Sequence, residues 1–141
     1  MLEHGAIPAE QPLVALGWGN TVSNNDPNSQ PDPLKAANVW VGDAEGCKTF
    51  APGYQSLDGP PICTLNKYVP GNSTCKGDSG TGVIVVANKK TYITGLVSEG
   101  GRLNNSTCRT ADGYSLFTHV AAQPNFISNT TGIASSYFTR A

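Results

Sequence analysis

The stretch Cys75-Lys76-Gly77-Asp78-Ser79-Gly80 contains a cysteine that can form a disulfide, a tight turn between two glycines, and a serine at the tip of that turn. Glycine lets the backbone approach another molecule closely and direct its N–H groups at one point. N–H groups arranged in this way form the oxyanion hole of a serine nucleophile. Because glycine, aspartate and serine are also the commonest turn residues, the stretch is informative only together with its surroundings.

The surroundings of this turn are a set of landmarks in a fixed order along the chain. They are Gly17-Trp18-Gly19 after an apolar run, a second apolar run that leads to Cys47, Ile62-Cys63, and, after the turn, residues 94–100, Cys108 and residues 116–120. Over residues 13–127 this order resembles the C-terminal half of the trypsin/chymotrypsin family of serine peptidases. The resemblance implies an all-β fold: a six-stranded antiparallel Greek-key barrel, the second barrel of the chymotrypsin-like fold, with a short C-terminal helix.

Short apolar runs between turn signals also predict the strands of a small barrel. The 16 glycines and 10 prolines are typical of a chain with many turns. We expect residues 1–12 to be a loose leader and residues 13–141 to be one incomplete peptidase domain, with Trp18 and Trp40 packed in the barrel. The expected strands are Leu13–Gly17, Leu34–Val41, Pro61–Leu65, Gly82–Ala87, Thr91–Val97 and Ser115–Val120, with a short helix between His119 and Ile127 that Pro124 limits.

The family resemblance assigns chemistry to the turn. Ser79 corresponds to the nucleophile of an acyl-enzyme mechanism, which needs an adjacent base to take its proton. The backbone N–H groups of Gly77 and Ser79 correspond to the oxyanion hole. Asp78 corresponds to a buried aspartate that pairs, in the family, with the N-terminus released by activation cleavage. Because the sequence contains neither that N-terminus nor its cleavage site, we expect Asp78 to turn outward or become protonated, and the loop around Ser79 to be poorly formed.

The floor of the family's specificity pocket corresponds to Ser73. Trypsin-like members have aspartate at this position, where it holds the Lys or Arg side chain of the substrate. Serine predicts instead a neutral or apolar residue before the scissile bond. The opposite wall of the pocket falls near residues 113–115.

The strand that pairs with the substrate backbone corresponds to Ser98, Glu99 and Gly100. Glu99 replaces the usual aromatic residue, and its carboxylate either favours a basic group nearby or is simply solvated. A second departure is Thr81-Gly82 in place of the usual Gly-Pro. This pair lies past the nucleophile, so it is expected to alter the entry into the next strand more than the chemistry.

The catalytic His and Asp of the family belong to an N-terminal barrel that precedes the Gly-Trp-Gly landmark. Only sixteen residues precede Gly17. We therefore expect this chain to be a fragment that has the nucleophile, lacks the general base and is inactive alone. His4 lies in the leader and His119 at the end of the last strand, and neither is expected to act as the base.

Composition excludes several classes of function. The net charge is −1 and only 13% of residues are charged, so the sequence has no clustered basic face for nucleic acid or an anionic membrane. No run approaches the ~20 apolar residues of a membrane span. No Cys/His spacing resembles a zinc site and no glycine-rich loop fits a phosphate, so neither a metal nor a cofactor is expected. The expected partners are a polypeptide substrate or protein partner, and the missing N-terminal barrel.

The four cysteines form an even set that allows three disulfide pairings. The resemblance selects Cys47–Cys63 and Cys75–Cys108, the second of which would brace the walls of the specificity pocket. The alternative is free cysteines in the core of a protein from a reducing compartment. The disulfide interpretation predicts a secreted protein.

N-glycosylation triplets support the same location, although Asn-rich loops also produce such triplets by chance. The candidate acceptors are Asn72, Asn104, Asn105 and Asn129. The N-terminal residues have neither the basic segment nor the apolar core of a signal peptide. A domain of a secreted type is expected to have a secretion signal. Since none is found here, we expect that the gene model is incomplete and that its upstream half is missing.

Three functions are compatible with these features. The first is a secreted serine endopeptidase with Ser79 as nucleophile. The second is a non-catalytic homologue that acts as a secreted protein-binding or inhibitor scaffold, which Glu99 and Thr81-Gly82 favour. The third is a barrel that pairs with a separate chain supplying the other half of the site. The intact turn around Ser79 favours the first.

Overall fold

The computed structural model describes residues 7–21, 27–102, 108 and 110–138, which form one six-stranded antiparallel sheet. The order of the strands in the sheet is β2-β1-β4-β5-β6-β3. A bridge between Val41 and Thr64 connects the end of one edge strand to the other and curves the sheet into a barrel-like form. The predicted fold class is confirmed. The strands are β1 (Pro12–Gly17), β2 (Lys35–Trp40), β3 (Pro61–Leu65), β4 (Gly82–Ala87), β5 (Lys90–Arg102) and β6 (Gly113–His119).

The inside of the sheet is apolar because alternate residues of each strand point to the same face. In β1, Leu13 and Ala15 are buried, whereas Val14 and Leu16 are partly exposed. Phe117 of β6 is the largest side chain that is fully buried. The main core consists of Ile7, Leu13, Ala15, Val39, Val41, Ile62, Val83, Val85, Val97 and Phe117.

Strand β5 is longer than its apolar pattern predicts. The expected strand ended at Val97, but the observed strand continues to Arg102. The extension pairs with β6, with Glu99 opposite Leu116 and Gly100 opposite Ser115. Its polar and glycine residues carry no hydrophobic alternation, so only the pairing of the backbones identifies this segment as a strand.

Helix α1 (Ala44–Phe50) was not predicted, and helix α2 (Pro124–Thr131) begins later than expected. Proline limits a helix interior but suits its first turn, where the N–H has no helical partner, so Pro124 begins the helix instead of restricting it. A short helix α3 (Ser135–Phe138) follows. The longest of the described helices has eight residues, and none has the length and apolarity to cross a bilayer.

Residues 7–12 belong to the barrel and are not part of a loose leader. Ile7 is buried in the main core, and the Glu10 N–H donates to the Val41 carbonyl at 2.7 Å. Strand β1 begins at Pro12. The expectation that Trp18 packs in the barrel is wrong, because its side chain is 52% exposed.

Asp43 connects α1 to the turn that follows β3. As the N-cap of α1, it accepts a hydrogen bond from the Gly46 N–H at 2.7 Å through Oδ1. Its other oxygen, Oδ2, accepts from Lys67 Nζ at 2.8 Å and from the Tyr68 hydroxyl at 3.0 Å. The Lys67 hydrogen bond, followed by the Gly46 N–H, lowers the pKa of Asp43 from 3.8 to about 2.

We expect Asp43→Asn to destabilise the protein by about 0.5–1 kcal/mol at pH 7, because asparagine keeps the helix cap but loses the ion pair with Lys67. This estimate allows for solvent screening, since the Asp43 side chain is 42% exposed. A lowered pKa stabilises the folded state above pH 3.8, and this contribution is lost as the pH falls through about 2. Urea unfolding of both proteins between pH 7 and pH 2 measures the difference, which should be much smaller at pH 2 than at pH 7. A difference that is constant with pH would contradict this account.

Candidate active site

The turn around Ser79 is well formed. The Asp78 N–H donates to the Cys75 carbonyl at 3.0 Å, and the Thr81 N–H donates to the Asp78 carbonyl at 3.0 Å. The Gly80 N–H donates to the Val97 carbonyl of β5 at 2.8 Å, which fixes the turn to the sheet. The expectation of a poorly formed loop is therefore wrong.

Asp78 faces inward, which corrects the prediction that it turns outward. Its side chain is 9% exposed. Oδ1 accepts a hydrogen bond from the Gly19 N–H at 2.7 Å, and Oδ2 accepts one from the Cys75 N–H at 2.8 Å. Backbone N–H donors compensate a buried carboxylate for part of its lost hydration, so these two hydrogen bonds help to hold Asp78 in its inward position.

The Gly-Trp-Gly landmark provides the space for this carboxylate. A Cβ atom on either Gly17 or Gly19 would overlap the carboxylate of Asp78. The Asn20 N–H next to this landmark donates to the Lys76 carbonyl at 2.8 Å. The landmark thus supports the nucleophile turn, because it leaves space for the Asp78 carboxylate and adjoins the N–H that donates to Lys76. The sequence analysis did not assign this role to it.

Ser79 is exposed at the tip of the turn. The two glycines that flank the Asp78-Ser79 pair have left-handed backbones, with φ 100° at Gly77 and 83° at Gly80. Residues with side chains rarely adopt these angles, which explains why the turn has glycine at both positions. The site therefore presents a serine hydroxyl to solvent on a backbone that the buried Asp78 anchors.

In the structure, Ser73, the expected floor of the specificity pocket, lies next to Ser115, which belongs to the expected opposite wall. Ser73 Oγ lies 3.3 Å from Ser115 Oγ, and Thr74 Oγ1 donates to Ser115 Oγ at 3.0 Å. A side chain at Gly100 would meet the Tyr114 carbonyl, so glycine permits the close approach of β5 to β6 next to Ser115. The sequence analysis missed Thr74, whose hydroxyl neither composition nor spacing distinguishes from that of any other loop threonine.

Ser98 and Glu99 lie at the exposed edge of a cavity of ≈ 200 Å³. Leu116, Phe117, Pro60 and Pro61 form its apolar part. Burial, and after it the charge of Glu99, raises the pKa of Tyr114. Because Glu99 lines this cavity, its carboxylate places a negative charge beside the apolar part.

Both disulfides that the resemblance implied are present. Cys47 pairs with Cys63 and joins α1 to β3, and Cys75 pairs with Cys108 next to the nucleophile turn. Residues 7–21, 27–102, 108 and 110–138 contain no group of three His, Cys, Asp or Glu side chains that could hold a metal ion.

His119 is not placed as a catalytic base. His119 is buried, and its Nδ1 lies 3.1 Å from the Gly59 carbonyl oxygen, so its ring belongs to the packing at the end of β6. His4 lies outside the described residues.

Comparison with known proteins identifies the family of the chain. The family model described as Trypsin matches residues 2–127. The chain belongs to the trypsin family.

Two curated serine proteases of this family are similar to the chain. It is 28% identical over 131 residues to Snake venom serine protease Haly-2 of Gloydius brevicauda, with 89% of this chain and 48% of that protein covered. It is 29% identical over 129 residues to Serine protease 1 of Rattus norvegicus, with 92% of this chain and 47% of that protein covered. The chain spans about half the length of these relatives.

We expect Gly17→Ala to destabilise this trypsin-family barrel by about 1–3 kcal/mol, because the new methyl group displaces the Asp78 carboxylate from its N–H donors. Urea unfolding measures the effect. Gly53→Ala is the matched control, since a Cβ there meets nothing within 4 Å and should change stability by less than about 0.5 kcal/mol. Equal effects of the two substitutions would contradict the proposed role of Gly17.

Proposed function

We propose that Ser79 is the nucleophile of a serine endopeptidase in a protein that contains this chain as its second barrel. The observation that carries the proposal is the exposed Ser79 on a turn anchored by the buried Asp78. A nucleophile needs a fixed backbone and an adjacent base. The described chain supplies the fixed backbone. The family resemblance attributes the base, a His oriented by an Asp, to an N-terminal barrel.

In the proposed reaction, the Ser79 hydroxyl oxygen attacks the scissile carbonyl carbon and its proton passes to the imidazole of the partner barrel. The carbonyl oxygen becomes an oxyanion that accepts hydrogen bonds from the N–H groups of Gly77 and Ser79. The C–N bond then breaks, and the imidazole gives its proton to the leaving amine. Water releases the acyl group from Ser79 by the same steps, with the imidazole again as base.

The residue before the scissile bond would occupy the pocket around Ser73. The hydroxyl groups of Ser73, Thr74 and Ser115 form the uncharged floor of this pocket, and Ser73 and Thr74 also line the cavity that contains Asp78 and Lys35. Because none of these groups is charged, they support a neutral or apolar substrate residue there and not a Lys or Arg.

Glu99 would favour particular substrate side chains next to the strand that contains it. In the family, the strand that corresponds to Ser98, Glu99 and Gly100 pairs with the substrate backbone. The exposed Glu99 carboxylate next to the ≈ 200 Å³ cavity favours a cationic side chain on this side of the cleft.

An apolar outer face supports a second barrel as partner. Ile93 of β5 is 56% exposed and lies directly opposite Ile84 of β4, and Val86 on the same face is 63% exposed. A barrel that covered these side chains would bury apolar surface that otherwise contacts water.

A secreted location accompanies this proposal. Two disulfides are typical of extracellular proteins. Asn129 is exposed on α2 and is the preferred glycan acceptor, whereas the Asn72 side chain donates to the Asn38 carbonyl at 3.1 Å. The candidates Asn104 and Asn105 lie outside the described residues.

The test compares the 141-residue chain with the same chain joined to the N-terminal region that its transcript encodes upstream. We expect the joined protein to cleave peptides with a neutral residue before the scissile bond and to react at Ser79 with a fluorophosphonate. Without His and Asp, the 141-residue chain should turn over at least about 10⁴-fold more slowly. Peptide mass spectrometry locates both the cleavage and the label.

Ser79→Ala in the joined protein is the control and should abolish both signals. Ser79-dependent turnover by the 141-residue chain alone would contradict the need for a second barrel. A transcript that encodes no His-containing barrel, or a joined protein that binds peptides without reacting at Ser79, would contradict the peptidase and support the protein-binding scaffold. Departures such as Glu99 favour that alternative.

A further inference from the structure

Lys35 and Asp78 line the same cavity, which has a volume of ≈ 150 Å³ and lies where β1 and β2 end. Ala15 and Gly17 line it from β1, and Lys35 and Ala37 line it from β2. Ala15 and Gly17, like Lys35 and Ala37, are alternate residues of their strand and so belong to one face of the sheet, whereas Leu16, which also lines the cavity, belongs to the other. Asp78 closes the cavity from the nucleophile turn.

The register of the two strands directs Lys35 towards Asp78. Gly17 and Lys35 are paired directly opposite each other, and residues paired in this way point to the same face. A Cβ atom on Gly17 would point at Asp78 Oδ1. The side chain of Lys35 therefore leaves the sheet on the face that the carboxylate occupies.

The distance is within reach of a lysine side chain. Cβ atoms of opposite residues lie about 5 Å apart, so Asp78 Oδ1 lies about that far from Lys35 Cβ. The four bonds from Cβ to Nζ of an extended lysine cover a similar length. Rotation of an exposed side chain, without movement of the backbone, can thus bring the ammonium group to the carboxylate.

Charge favours this movement. Of the residues that line the cavity in the described part of the chain, Lys35 carries the only positive charge and Asp78 the only negative one. Each Asp78 oxygen accepts one backbone N–H, so both retain capacity for another donor. In the described conformation the Lys35 ammonium is exposed, and the described ion pairs involve Lys48 and Lys67.

We propose that Lys35 is a positioning residue whose ammonium group enters this cavity and pairs with Asp78. The pair would give the carboxylate the counter-charge that the family takes from a released N-terminus, and it would do so without cleavage of the chain. The catalytic consequence, a fixed turn around Ser79, depends on the proposed peptidase function. The ion pair itself does not.

Acetylation of lysines by acetic anhydride, followed by peptide mass spectrometry, tests the pair without any measurement of proteolysis. In the folded chain at low salt, Lys35 should react about five-fold more slowly than Lys90, an exposed lysine at the start of β5, as expected for a partly screened ion pair. High salt should reduce the difference. Asp78→Asn should remove it, because asparagine keeps the shape but not the charge.

Two outcomes would overturn the proposal: Lys35 reacting as fast as Lys90 in the unchanged chain, or equal protection of Lys35 in the folded Asp78→Asn variant. If Asp78→Asn does not fold, Lys35→Gln provides the second test. It should lower the urea midpoint at low salt and leave it unchanged in 1 M NaCl, where the Debye length is about 3 Å. Lys90→Gln is its matched control. An unchanged midpoint for Lys35→Gln at low salt would also overturn the proposal.

Discussion

A buried carboxylate must be compensated by hydrogen bonds, and the position of Asp78 organises the rest of the site. Its two oxygens take N–H donors from Gly19 and Cys75, which belong to segments far apart in the chain. Because Ser79 is the next residue, the hydrogen bonds that hold Asp78 also restrain the backbone that carries the nucleophile. The same buried carboxylate therefore needs both the space that Gly17 leaves and the N–H donor that Gly19 provides.

The sheet supports this arrangement from the other side. The Gly80 N–H bonds to the Val97 carbonyl, so the turn rests on β5, the strand that also carries Glu99 and Gly100. The nucleophile turn is therefore attached to the same strand that is expected to bind the substrate backbone. The chain spans about half the length of its trypsin-family relatives, and the apolar outer face described above is consistent with a partner that completes the site.

The sequence predicts the parts of the fold that depend on side-chain pattern or on motif. The limits of β3 and β4 and both disulfides agree with the structure. The extension of β5 beyond Val97 was missed because backbone pairing, and not alternation, creates it. The inward position of Asp78 was also missed, since its donors are backbone N–H groups that every residue except proline possesses. Only the folded chain shows which of those groups meet the carboxylate.

The most direct test of this account is amide hydrogen exchange at Gly19 and Cys75, measured by NMR. These two N–H groups donate to the Asp78 carboxylate, so their protection reports on its inward position. The account predicts slow exchange at both amides, comparable to that of paired amides in the neighbouring sheet. Exchange at the rate of an exposed loop amide would show that the carboxylate is not held there, and it would contradict the central claim.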